Sequence, residues 1–211
     1  LSVLPADVVR SRPRLLLAQA HVAGDSGHPE VMEPLLDAAE CAPPDWADEP
    51  FEPTAGVAAS FLVNVPALTT LNRSYLAQLH GDAEATAAFA AQTLAESKPE
   101  ERALSATAQG FLAVAEWLRG RLTEAERALA SSVTGWGETG ELTLIAWGWY
   151  ELVLIQLAQG RLDAAALTCE QALDNLVTPG RPTPAAGPSY AGLAEIAYQR
   201  DELDVALRHA T

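Results

Sequence analysis

The sequence has a single lysine, Lys98, only two cysteines, Cys41 and Cys169, and few aromatic side chains, 6% of its 211 residues. Two cysteines do not make a disulfide framework. Cys169 falls on the apolar face of a helical pattern, so it reads as a reduced core thiol of a cytoplasmic protein. No run of about 18 apolar residues occurs, so no membrane span is expected. Basic charge is scarce as well, 13 Lys and Arg against 28 Asp and Glu, for a formal net charge of −15. A surface this acidic repels phosphate backbones, which argues against direct nucleic-acid binding. Lys98 is followed by Pro99, so no Gly-x-x-x-x-Gly-Lys-Ser/Thr loop can be written and a phosphate loop of that type is excluded.

Other chemistry is also missing. His21, His28, His80 and His209 are scattered, with no helical pairing to one another or to cysteine, and no metal site is expected. Ser60, Ser74, Ser105 and Ser189 lack a Gly-x-Ser-x-Gly setting, and the acids spread over helix faces. No catalytic residue and no cofactor is therefore assigned. Leu1-Ser2-Val3-Leu4 has neither an initiator Met nor a basic n-region, and the helical pattern still runs at Thr211. Both ends read as cuts in a longer chain.

What is present is alanine and repetition. Apolar residues reach 49%, inflated by Ala, the residue that costs least in a helix and lets backbones approach. Gly160-Arg161-Leu162-Asp163-Ala164-Ala165 repeats Gly120-Arg121-Leu122-Thr123-Glu124-Ala125 at a distance of 40 residues. Gly81-Asp82-Ala83-Glu84 and Asp201-Glu202-Leu203-Asp204-Val205-Ala206 are weaker copies on either side. A period near 40 marks a helical repeat array. Gly at each turn accepts a left-handed backbone. Leu122, Leu162 and Leu203 are expected to plug the hairpin bases, and Ala125, Ala165 and Ala206 to let paired helices touch.

Proline and glycine punctuate the rest. Helices are predicted after Pro5 and Pro13, from Pro29 to Glu40, over a short stretch to Val63, and from Pro66 to His80, with Val65 pushed out of the α region. Further helices are predicted over 83–96, 100–119, 122–133, 142–159 and 162–176, then over 189–200 and from 202 onward. A loop holding Gly135, Gly137 and Gly140 is expected after residue 133, and Pro-rich loops over 41–53 and 177–188. Trp46 and Phe51 in the first of these serve either as plugs that pin it or as a ligand lid.

The spacing resembles the tetratricopeptide repeat stretched to about 40 residues. Trp149 and Tyr190 stand at that family's aromatic place, with Leu193 and Ala194 after Tyr190; Gln109 departs from it, while Leu112 and Ala113 fit. The resemblance implies an all-α, TPR-like solenoid of antiparallel helical hairpins, a right-handed superhelix of about five hairpins in one domain, 1–211. The approximate hairpins are 5–40, 54–96, 100–134, 141–176 and 188–211.

A narrower resemblance covers most of the chain. Its marks are Arg12-Pro13-Arg14-Leu15, Leu35-Leu36-Asp37-Ala38-Ala39-Glu40, Trp117-Leu118-Arg119-Gly120, Ala185-Ala186-Gly187-Pro188 and Gly192-Leu193-Ala194-Glu195-Ile196-Ala197-Tyr198. In this order they resemble the sensor array of large ATP-dependent LuxR-type transcriptional activators, the MalT-like branch. The resemblance implies a parent regulator whose nucleotide-binding module precedes the array and whose helix-turn-helix follows it.

In the tetratricopeptide family the first helices line a concave groove, which here implies Tyr75, Gln78, Trp117, Trp147, Tyr150, Glu195 and Tyr198 as groove residues. Aromatics with a few polar groups suit a small-molecule inducer or a protein segment. The same rings would equally serve to pack repeat against repeat. Trp149 takes the packing place inside its repeat and is expected to be core. Three functions follow: a sensor domain of a LuxR-type regulator, a scaffold for a peptide segment, or an all-helical enzyme resting on chance carboxylate pairs.

Overall fold

In the computed structural model, residues 6–42, 64–140, 142–176 and 184–211 are described, and every regular element among them is helical. The predicted helix before Val63, and Trp46 and Phe51, lie outside the described residues. The chain divides into two compact units, Leu1–Arg119 and Gly120–Thr211. The boundary falls at the turn of the predicted third hairpin.

The first unit holds α1 (Ala6–Arg10), α2 (Pro13–Asp25), α3 (Met32–Glu40), α4 (Val65–Leu79), α5 (Ala83–Glu96) and α6 (Arg102–Leu118). Consecutive helices pack as hairpins, while α2 lies beside α4 and α4 beside α6. That is a stack of hairpins in which neighbours bury what one hairpin cannot. Leu16, Leu17, Met32, Leu36, Leu71 and Leu104 form its core. Each such side chain taken out of water contributes about 1.5–3 kcal/mol.

The second unit holds α7 (Leu122–Thr139), α8 (Leu142–Ala158), α9 (Leu162–Leu176), α10 (Gly187–Gln199) and α11 (Leu203–Ala210). Here α8 packs on α7, α9 and α10, and α10 packs on α11. Val153, Ala165, Cys169 and Ile196 form a core cluster, with Leu157 and Leu193 against it.

The turns explain the repeated glycine. Gly81, Gly120 and Gly160 have φ of 72°, 76° and 72°, and Asp201 takes the fourth place at 61°. At Gly160 the turn closes through Gly160 N–H to Leu157 O and Arg161 N–H to Gln156 O, both 2.9 Å. Asp201 and Glu202 repeat that pair of bonds toward Tyr198 and Ala197. This 6→1 closure satisfies carbonyls that a helix end leaves orphaned.

Within each unit an arginine reaches back about one repeat to an acid. Arg73 binds Asp37 and Glu40 at 2.8 and 2.9 Å, and Arg119 binds Glu84 at 2.6 Å. In the second unit Arg161 binds Glu126 at 2.7 Å and Arg200 binds Asp163. No fixed spacing in the sequence marks this ladder.

Several boundaries differ from expectation. Helix α4 begins at Val65 rather than after it, because Asn64 takes the non-helical place (φ −98°, ψ 86°) and its side chain accepts the Ala67 N–H at 3.2 Å. Pro66 then falls in the first turn, where a missing N–H costs nothing. Helix α7 runs through Gly135 and Gly137 to Thr139, and Gly140 alone, at φ 75°, ends it. The continuation buries Trp136 to 5% exposure, which outweighs two glycines in the last turns. Leu122 and Leu162 are half-buried, whereas Leu203 is exposed, because among the described residues only α10 packs substantially on α11. Ala125 and Ala165 are fully buried, as close helix contact requires.

Candidate functional site

The predicted groove residues fall into separate settings. In the first unit Tyr75 is half-buried and acts as a brace. Its hydroxyl donates to Asp25 at 2.9 Å, and its ring leans on His21 and Phe111 with centroids 5.7 and 6.0 Å apart. Gly24 leaves the space for it: a Cβ there would stand 2.6 Å from the Tyr75 ring. Burial first, and the Asp25 acceptor second, hold the phenol protonated well above its ordinary range. A ring tied down in this way joins α2 to α4 and is not an open anchor. Gln78 and Trp117 are half-buried on α4 and α6.

In the second unit α8 brings two of the predicted residues together. Trp147 is 54% exposed although it lies in the most apolar of the described helices. Tyr150, one turn on and half-buried, meets it edge to face, with centroids 6.1 Å apart and planes at 71°. Edge-to-face is a favoured geometry for an aromatic pair, so the two rings hold each other in place. On α10, Tyr198 is 64% exposed and makes no ring contact among the described residues. Glu195 accepts a hydrogen bond from Gln199, one turn along its own helix, at 2.9 Å. Trp149, expected in the core, is only half-buried. Angular position accounts for this: Gly148 meets Trp136 and Val133 of α7, and Trp149, the next residue, lies to one side of that contact.

Glu151 was not anticipated. It follows Trp147 by four residues, so both side chains occupy one face of α8. It is half-buried, and burial pushes its carboxyl up to about 7, with no partner charge or hydrogen bond offsetting it among the described residues. A signal for it existed in the sequence, a lone acid inside an otherwise uncharged apolar helix.

Below this face the helices are tied by a buried polar chain. Thr168 Oγ1 donates to Gln156 Oε1 at 2.9 Å, and Gln156 Nε2 donates to Glu126 at 3.2 Å. Open hollows lie elsewhere, at the hairpin turns. One of about 670 Å³ is lined by Arg121, Glu126, Gln159 and Arg161, and one of about 480 Å³ by Arg161, Asp163 and Arg200. Arg161 and Arg200 are held there by Glu126 and Asp163, so their charges serve the ladder. No three metal-ligating side chains converge among the described residues, and no described helix is long and apolar enough to cross a membrane.

Residues 69–211 match a family model described as the MalT-like TPR region. No curated protein matches the chain. Among solved structures the chain is similar to TPR-like repeats described as nearly identical repeats of a Podosopora anserina kinesin light chain. The identity is 19%, the TM-score 0.60, and the match covers 95% of this chain and 94% of that one. A single-substitution variant of that protein gives 19% identity and a TM-score of 0.61, covering 95% and 93%. At this identity the likeness shows the fold, an all-α array of helical hairpins.

Proposed function

This chain belongs to the family of MalT-like TPR regions, and from that premise we propose that it is the non-catalytic sensing array of a LuxR-type transcriptional regulator. It works in the cytoplasm and takes a small-molecule inducer or a protein segment on the face of its first helices. Other domains of the parent regulator, a nucleotide-binding module and a helix-turn-helix, read the result. The observation that carries this reading is the exposed Trp147 held edge-on by Tyr150 in the middle of an apolar helix whose Ile145, Ala146, Leu152, Val153 and Ile155 are buried. An exposed indole beside a second ring supplies a large, rigid contact area of the kind that dominates recognition.

A ligand on that face acts by differential affinity. An array with two arrangements of its hairpins shifts toward the one the ligand binds better, and the shift equals the ratio of the two affinities.

The test is a fluorescence titration of the 211-residue chain with a panel of metabolites, following the tryptophans. A saturable response that disappears in Trp147→Ala supports the reading. A response unchanged by Trp147→Ala, or none to any compound or peptide, overturns it. The genomic reading frame supplies the second check: a phosphate-loop module upstream and a helix-turn-helix downstream.

A further inference from the structure

Helix α8 has 17 residues, and Glu151 is its only charged side chain. A carboxylate inside apolar surroundings is costly unless something compensates it. Among the described residues nothing does: burial alone acts on Glu151. Two arginines of the neighbouring hairpins are held by other acids, Arg161 by Glu126 and Arg200 by Asp163. The half-buried acid shares its helix face with Trp147, which is exposed, and Tyr150 fixes the indole from the side. An aromatic surface beside an uncompensated acid is a local violation of packing rules, and such violations mark sites.

We propose that Trp147, Tyr150 and Glu151 form a receptor for one cationic side chain, arginine or lysine, presented by a partner polypeptide. A guanidinium or ammonium over the indole gains cation–π attraction. The same group within reach of Glu151 gains a charge-assisted hydrogen bond and removes the cost of an unpaired buried acid. A neutral or anionic group would leave that cost in place. The whole chain, at −15, draws a basic segment toward it and repels an acidic one. A polypeptide fits better than a free amine because the face is open. Only an extended partner covers Trp147 while it delivers the cation.

This proposal rests on α8 being a binding face, and the experiment separates the two. The 211-residue chain is titrated with capped nonapeptides carrying a fixed central arginine, with the same set carrying citrulline, and with agmatine. Expected is saturable binding of arginine peptides, no binding of citrulline peptides, and agmatine at least tenfold weaker than the best peptide. Glu151→Gln and Trp147→Ala each weaken binding tenfold or more, while Glu151→Asp retains part of it and substitution of an exposed acid on α9, Asp174→Asn, leaves it unchanged. Unaltered thermal melting of Glu151→Asp excludes misfolding as the cause. Equal binding by arginine and citrulline peptides, equal affinity of wild type and Glu151→Gln, or agmatine as tight as any peptide overturns the proposal. A metabolite response through Trp147 without arginine binding keeps the face and rejects the cation. If neither ligand class responds, both readings fail.

Discussion

A Cβ placed on Gly148 would stand 2.6 Å from Cζ3 of Trp136 and 2.7 Å from Cγ2 of Val133. Helices α7 and α8 therefore meet where one side has no side chain, and the Trp136 indole occupies the space. Gly148→Ala is expected to destabilise the protein by about 1–3 kcal/mol through overpacking. Gly137→Ala has nothing within 4 Å of the new methyl and is expected to stabilise by about 0.5–1 kcal/mol, the ordinary gain of Ala over Gly in a helix. Urea denaturation of both variants checks the opposite signs. In the same series Trp136→Ala should cost about 3–5 kcal/mol, and the half-buried Trp149 less.

The arginine ladder is uneven. Arg73 is 21% exposed and makes bonds to two acids, whereas Arg200 is 33% exposed and its partner Asp163 is fully exposed. Arg73→Ala is expected to cost about 1–2 kcal/mol and to persist in 0.5 M salt, as a partly buried charge-assisted network does. Arg200→Ala should cost less than about 0.5 kcal/mol and lose even that in salt. Thermal melts with and without salt distinguish them.

Glu151 makes stability depend on pH in the direction opposite to a salt-bridged acid. Its folded carboxyl titrates near 7 against an ordinary 4.5, so between those values the folded state holds a proton that the unfolded state has lost. Its contribution is then greatest below about 4.5, falls as pH rises, and is lost above about 7. Glu151→Gln should raise the melting temperature at pH 8 and change it little at pH 4.5. Equal shifts at the two pH values would contradict the assignment.

The turns make a further pair. Gly160→Ala places a methyl on a backbone at φ 72° and should cost about 1–2 kcal/mol. Asp201 already carries a side chain at φ 61°, so Asp201→Gly should gain about 0.5–1 kcal/mol. Chemical denaturation of the two single variants checks both signs.

Much of this fold was legible because a left-handed turn demands glycine. Gly81, Gly120 and Gly160 therefore repeat visibly, and Leu and Ala at fixed offsets identify Asp201 as their counterpart. What was illegible depends on tertiary neighbours. Two glycines read as a loop after residue 133, yet burial of Trp136 carries α7 through them. The ladder escapes a fixed pattern because Arg119 precedes its turn glycine and Arg161 follows it, and only the stacking of hairpins aligns them. At the candidate site, spacing placed Trp147 and Tyr150 together. It could not show that Tyr75 is tied to Asp25, which lies 50 residues away. Glu151 escaped notice because an acid on a helix is ordinary until its desolvation is known.

Cys169 lies fully buried between α9 and α10, 2.8 Å from where a Cβ on Gly192 would stand, while Cys41 is exposed. Burial, with Glu170 adding to it, pushes the Cys169 thiol up to about 12, so the nucleophilic thiolate is scarce at neutral pH. The molecule thus carries one thiol that accepts a dye in the native state and one that reacts only when the second unit opens. With Cys41→Ser, the rate of alkylation becomes a clock for that opening, readable by mass without any added probe.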